Sequence, residues 1–243
     1  METTIQVEKL CKSYDKVKAV ESLTFSVSRG EVFGLLGANG AGKSTTLECI
    51  LGTKQPDSGM STILGMNPLT DRKKLFERVG VQFQEANYQD KIGVSELCEV
   101  TASLYKSSLD YKVLLKQFGL SDKAKSPVSS LSGGQKQRLF IVLALLPDPE
   151  VVFLDELTTG LDTRARREVW KGLSELKARG ITILLTSHFM DEVEALCDRI
   201  LILKKGESIF CGTVQEAMKA SPYDKFEDAY LWFTEEETED ENL

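Results

Sequence analysis

The run Gly37-Ala38-Asn39-Gly40-Ala41-Gly42-Lys43-Ser44 fits GxxxxGK[ST]. It follows the apolar Val32-Phe33-Gly34-Leu35-Leu36 and precedes the helix-compatible Thr45-Thr46-Leu47-Glu48-Cys49-Ile50-Leu51. A strand, a glycine loop and a helix in that order make a phosphate cradle. The glycines let the backbone curl until several N–H groups face one anion, and the helix start adds partial positive charge. Lys43 is then expected against the β- and γ-phosphates of a nucleotide, with Ser44 as a Mg²⁺ ligand.

Working outward, residues 5–7, 19–27 and 31–37 read as strands, with Ser28-Arg29-Gly30 as a turn. Residues 61–64 and 79–83 are further strand candidates. From 93 to 146 the texture is helical: Val94, Leu97, Cys98, Leu104 and Tyr105, then Val113, Leu114 and Phe118, recur at three- and four-residue spacing, with Gly119 as a stop. From 151 onward strands (151–154, 181–186, 199–203) alternate with helices (164–177, ended by Gly180, and 190–196). Such alternation implies a parallel sheet. A last helix is expected to start at Ser221-Pro222, with Ser as cap and Pro in the first turn, and to end near Phe233.

The 243 residues, 42% hydrophobic and 28% charged, suffice for a large core in one domain or two small lobes. The longest apolar run, 139–146, has eight residues, far short of a membrane helix of roughly 18. The start, Met1-Glu2-Thr3-Thr4, lacks a secretion signal, so a cytosolic chain is expected. Cys11, Cys49, Cys98, Cys197 and Cys211 are odd in number, scattered and without a CxxC pair, which implies neither a disulfide framework nor a zinc site. Six carboxylates lie in 235–241, and without them the net charge of −7 becomes −1. A near-neutral body argues against nucleic acid as a partner, and the acidic end reads as a solvated tail.

A phosphate loop needs a partner carboxylate. Val151-Val152-Phe153-Leu154-Asp155-Glu156 supplies one at the end of an apolar strand, where α/β sheets place their ligands. Taken alone, the pair also reads as a strand ending in two solvated acids. Beside the loop, Asp155 is expected to hold Mg²⁺ through water, and Glu156 to act on the water that attacks the γ-phosphate. In Leu131-Ser132-Gly133-Gly134-Gln135 a helix start explains Ser132 as cap and Gln135 as its capping-box partner. It does not explain two consecutive glycines, which weaken a helix and suit backbone that approaches an anion.

Together these motifs resemble the nucleotide-binding subunit of ATP-binding-cassette (ABC) transporters. The order is the family's: the phosphate loop, Gln84 after an apolar strand, LSGGQ at 131–135, Asp155-Glu156, Gly160-Leu161-Asp162, and His188 after a strand, over about residues 10–218. The resemblance implies an α/β P-loop NTPase (RecA-like) core with an N-terminal antiparallel β subdomain and an inserted α-helical subdomain. The core would comprise 1–84 with 150–220, the helical subdomain 85–149, and the C-terminal helix and acidic tail 221–243.

It also implies roles. ATP would lie on Gly37, Ala38, Asn39, Gly40, Ala41, Gly42, Lys43, Ser44 and Thr45, with Tyr14 stacked on adenine; Tyr14 also reads as a plain strand-edge residue. Mg²⁺ would meet Ser44, Gln84 and Asp155. Glu156, His188, Lys43 and Gln84 would carry the chemistry at the γ-phosphate. Ser132, Gly133, Gly134 and Gln135 would complete the nucleotide site of a second cassette, so the chain needs another copy or a paralogue. Asp162 matches the loop that contacts that partner, and it equally reads as the N-cap of the helix after it.

A separate transmembrane permease is implied, docked near residues 84–94, with Tyr88 and Ile92 as test positions. That docking would hold the chain on the inner face of the membrane. The stretches at 159–167 and 186–199 resemble drug-resistance, lipid and polysaccharide exporters more than import cassettes. Two departures stand out: Ala38, where Pro is usual, keeps its N–H, and Leu157, where Pro is usual, frees φ beside Glu156. Alternatives are an import-type cassette, or a soluble ABC ATPase, which usually carries two cassettes, a coiled coil or basic extensions. A GTPase would need a guanine-reading Asn-Lys-x-Asp segment and would leave LSGGQ unexplained.

Overall fold

Residues 2–82 and 91–235 are described in the computed structural model. The chain opens with β1 (Thr3–Tyr14), β2 (Val17–Ser28) and β3 (Val32–Leu36), followed by α1 (Lys43–Ile50), β4 (Ser58–Ile63), a single helical turn α2 (Arg72–Leu75) and β5 (Val79–Gln82). Three helices come next, α3 (Val94–Ala102), α4 (Tyr111–Gln117) and α5 (Gly133–Leu145). Then come β6 (Val151–Asp155), α6 (Thr163–Ala178), β7 (Thr182–Ser187), α7 (Met190–Leu196), β8 (Arg199–Lys204), β9 (Glu207–Gly212), α8 (Val214–Ala220) and α9 (Phe226–Thr234).

The strands form two sheets. An antiparallel sheet has the order β2-β1-β4, and a six-stranded sheet has the order β5-β6-β7-β3-β8-β9. In the larger sheet β3 is flanked by β7 and β8, and every pair is parallel except β8–β9. The strands β3, β6 and β7 are buried throughout, as expected of a parallel sheet covered on both faces.

β1 is far longer than the 5–7 expected from sequence. Lys9, at φ 46°, bulges the strand, so the inward set passes from Ile5 and Val7 to Leu10 and breaks the alternation that a sequence scan follows. The inward faces of β1 and β2 join α1 and one face of the large sheet in a single apolar cluster, where the Phe25 and Phe33 rings stack at 5.2 Å. On the other face, α3, α4, α5 and α6 share a cluster with Val152, Leu154, Ile183 and Leu185. α5 comes so close to β5 that a Cβ on Gly80 would lie 2.0 Å from the Ala144 carbonyl oxygen; only glycine admits that approach.

Two expectations need correction. The last helix does not begin at Ser221-Pro222. The Ser221 hydroxyl donates back to the Met218 carbonyl and accepts from the Tyr223 N–H, so Ser221 closes α8, and α9 starts at Phe226. Sequence reading also passed over β9 and α8. Lys205 (φ 50°) and Gly206 (φ 87°) form the two-residue left-handed turn of a hairpin joining β8 to β9.

Candidate functional site

The loop after β3 turns into α1 through Gly42, whose φ is 105°; a Cβ there would lie 2.2 Å from the Ala19 carbonyl oxygen of β2. That contact sets the antiparallel sheet against the loop. Tyr14, Ala19, Asn39, Gly40, Gly42, Lys43, Ser44, Thr45 and Glu156 line one groove of about 370 Å³. Tyr14 is 40% exposed at its rim, with the Lys12 and Lys54 ammoniums 5.8 and 5.1 Å from the ring centre.

Lys43 is 5% exposed. Its ammonium donates to the carbonyls of Gly37 (2.8 Å) and Ala38 (3.2 Å) and lies 3.8 Å from Glu156 Oε1. Burial lowers its pKa, and Glu156 and Asp155 pull the other way. Glu156 Oε1 is also 3.8 Å from Nδ1 of His188, so one carboxylate at the end of β6 faces both the imidazole that follows the neighbouring β7 and the ammonium that follows β3, one strand further on.

Glu156 adopts φ 49°, a left-handed conformation that costs a non-glycine residue about 1–3 kcal/mol. Two features fix it there. Its N–H donates to Thr186 Oγ1 (2.9 Å), and Leu157, where a freer φ was expected, is 2% exposed in the core. The same Thr186 hydroxyl donates to Asp155 Oδ1 (2.6 Å), while the Asp155 N–H donates to Gln82 Oε1 (3.1 Å). Sequence reading missed Thr186 and Gln82; their roles depend on β5, β6 and β7 being neighbours.

Asp155 is 5% exposed, and burial raises its pKa against the opposing hydrogen bond from Thr186, the Lys43 charge and a bond from Ser44. Its folded value therefore lies above the unfolded one. The stability it contributes is full below the ordinary carboxylate range and is lost as pH rises through the raised value. At neutral pH the ionised form subtracts from stability. Asp155→Asn should accordingly raise the melting temperature of nucleotide-free protein at pH 7, with a smaller gain at pH 4; calorimetry at the two pH values checks this. The hydroxyl of Ser44 and this under-compensated carboxylate are hard oxygen donors, and they fit Mg²⁺.

Ser132 caps α5 in a reciprocal capping box: its N–H donates to Gln135 Oε1 (3.0 Å) and its hydroxyl accepts from the Gln135 N–H (3.3 Å). Gly134 packs toward Leu161 and Ala165 at the start of α6. Residues 132–135 are not among those that line the groove. Asp162 caps α6 by accepting from the Ala165 N–H (2.8 Å), which bears out the local reading of that residue. Gln84 and Tyr88 lie outside the described residues, as does most of the acidic tail. No helix among the described residues is long and apolar enough to cross a membrane.

The sequence profile of the ABC transporter family matches residues 20–159. The Nod factor export ATP-binding protein I of Paraburkholderia xenovorans (strain LB400) is 43% identical over 214 residues, which is 86% of this chain and 70% of that protein. Its namesake from Mesorhizobium japonicum is 44% identical over 210 residues, 84% of this chain and 62% of that protein. The chain thus spans about two thirds of the length of these curated relatives. A solved ATP-binding subunit of an ABC transporter superposes with a TM-score of 0.86 at 29% identity, covering 96% of this chain and all of its own.

Proposed function

The chain belongs to the ABC transporter family, and on that premise we propose that it is the subunit that binds and hydrolyses ATP to drive a membrane exporter. The observation that carries this reading is the convergence of Lys43, Glu156 and His188: one carboxylate oxygen lies 3.8 Å from both the ammonium and the imidazole, at the mouth of the phosphate loop.

In this reading ATP lies along the groove, with adenine against Tyr14 and the phosphates over Gly37–Ser44. Lys43 holds the β- and γ-phosphates, exchanging its carbonyl partners for phosphate oxygens. Glu156 orients the attacking water and takes its proton, and His188 holds the γ-phosphate in line. Mg²⁺, bound through Ser44 and Asp155 and, by family resemblance, Gln84, would neutralise charge on the phosphates.

Residues 132–135 do not line this groove, and this supports their serving the nucleotide of a second cassette. Two protomers would close over two ATP molecules, and hydrolysis would release them. The division into a core (1–84 and 150–220), a helical subdomain (85–149) and a C-terminal segment (221–243) follows the same reading. So does docking of a transmembrane permease near Ile92, which would place the chain on the inner membrane face. The relatives named for Nod factor export support export as the direction.

Phosphate release from ATP by the purified chain should need Mg²⁺ and should rise per chain with protein concentration, as two-protomer catalysis requires. Absence of release at every concentration, and also in membranes with the co-purified permease, would reject the reading.

A further inference from the structure

Glu192 is a charged side chain with only 2% exposure, and the chemistry above makes no use of it. Burying a carboxylate costs several kcal/mol unless it is well partnered. Its partners come from two elements of the fold. Ser187, at the end of β7, donates its hydroxyl to Oε2, and Trp170 of α6 donates Nε1–H to Oε1 (3.2 Å). Ser187 Oγ in turn accepts from the Phe189 N–H at 3.0 Å. Burial nonetheless raises the Glu192 pKa, with Arg166 opposing.

A carboxylate in the first turn of a helix ordinarily serves that helix's own N–H groups. Here Asp191 does so, accepting from the Glu192 N–H at 3.0 Å, which leaves Glu192 to tie the corner before the helix. His188 lies between the two residues so fastened. On its other side, the Phe189 ring packs at 4.2 Å from the imidazole and carries the Arg166 guanidinium at 4.3 Å, and Arg166 pairs with Asp191 (3.1 Å).

We propose that Glu192 is a positioning residue for His188: its carboxylate grips the Ser187 hydroxyl, Ser187 fixes the Phe189 N–H, and the imidazole between them is held facing Glu156. This rests on the ATPase reading above and adds to it the group that orients the histidine.

His188 is the only histidine in the chain, so in tag-free protein its imidazole NMR signals report the tie directly. In Glu192→Ala the signals should move toward those of a solvent-averaged ring, kcat should fall about tenfold, and nucleotide affinity should stay within about twofold. Ser187→Ala, which removes a hydroxyl and no charge, should act in the same direction and serves if Glu192→Ala does not fold. Glu192→Gln, whose amide oxygen still accepts from Ser187, should recover most of kcat. On a His188→Ala background, Glu192→Ala should cost less than about twofold more.

Unmoved imidazole signals in folded variants, or losses that multiply with His188→Ala, would overturn the proposal. A His188→Ala protein with normal turnover would instead remove His188 from the ATPase reading, while the NMR signals would still decide whether the tie exists.

Discussion

Glu156→Gln is expected to lower kcat for ATP hydrolysis by about 10²–10⁴-fold, the usual worth of a positioned general base, while the Kd for ATP stays within about threefold. Glutamine keeps the shape and one acceptor oxygen, so the Thr186 bond to the backbone N–H of residue 156 and the packing of Leu157 are undisturbed. What is lost is the negative charge 3.8 Å from both Lys43 and His188, and with it the capacity to take a proton from water. Removing a carboxylate from beside the γ-phosphate also removes a like-charge repulsion, so ATP should be retained. Closure without hydrolysis should then accumulate a dimer, visible as a shift in gel-filtration volume with ATP and Mg²⁺. A variant that still turns over near the native rate would take Glu156 out of this role and leave His188 without its partner.

The parts of this site that were legible in the sequence are those whose residue types are forced by chemistry over a few consecutive positions. Gly42 must be glycine because a β2 carbonyl sits where its Cβ would be, and the Lys-Ser that follows is fixed by the loop. The capping box of Ser132 and Gln135 and the cap at Asp162 were likewise local, and both stand in the fold.

Thr186 and Gln82 were not legible, because their partners lie far off in the chain and become neighbours only through the strand order β5-β6-β7; Glu192 was not, because a glutamate in a first helical turn ordinarily reads as a solvated residue and only the packing of α6 on α7 buries it. Nothing in Thr186 alone announces that it will bond both Asp155 and the N–H of Glu156. At the C-terminal end the error had a different source. Ser-Pro is an honest helix-start signal, but a serine hydroxyl can also bond backwards, and Ser221 does so to Met218. The β9 strand carries half-exposed Ile209 and Phe210 among polar neighbours, an edge pattern with too little alternation to stand out beside the buried β8.

Lys43→Ala should produce the complementary defect: ATP affinity about 10²-fold weaker, equivalent to about 3 kcal/mol, in a protein that is still folded. The ammonium is buried and held by two loop carbonyls and by Glu156, so it is already pointed at the phosphate position and gives up little freedom when phosphate replaces those partners. Burial lowers its pKa, so the cation sits at some cost in the nucleotide-free protein. Its removal relieves that cost, but it takes one donor from the Gly37 and Ala38 carbonyls and a positive charge from beside Asp155 and Glu156. These effects oppose one another, so stability should change far less than affinity. Titration with fluorescent ATP, ADP and AMP analogues separates the contributions. The loss should be large for the first two, whose β-phosphate Lys43 would meet, and small for AMP. An equal loss for all three would mean that the loop itself had collapsed. An unchanged ATP affinity would mean that Lys43 is directed at its carbonyls rather than at a nucleotide, and the groove would then have to be read again from Tyr14 inward.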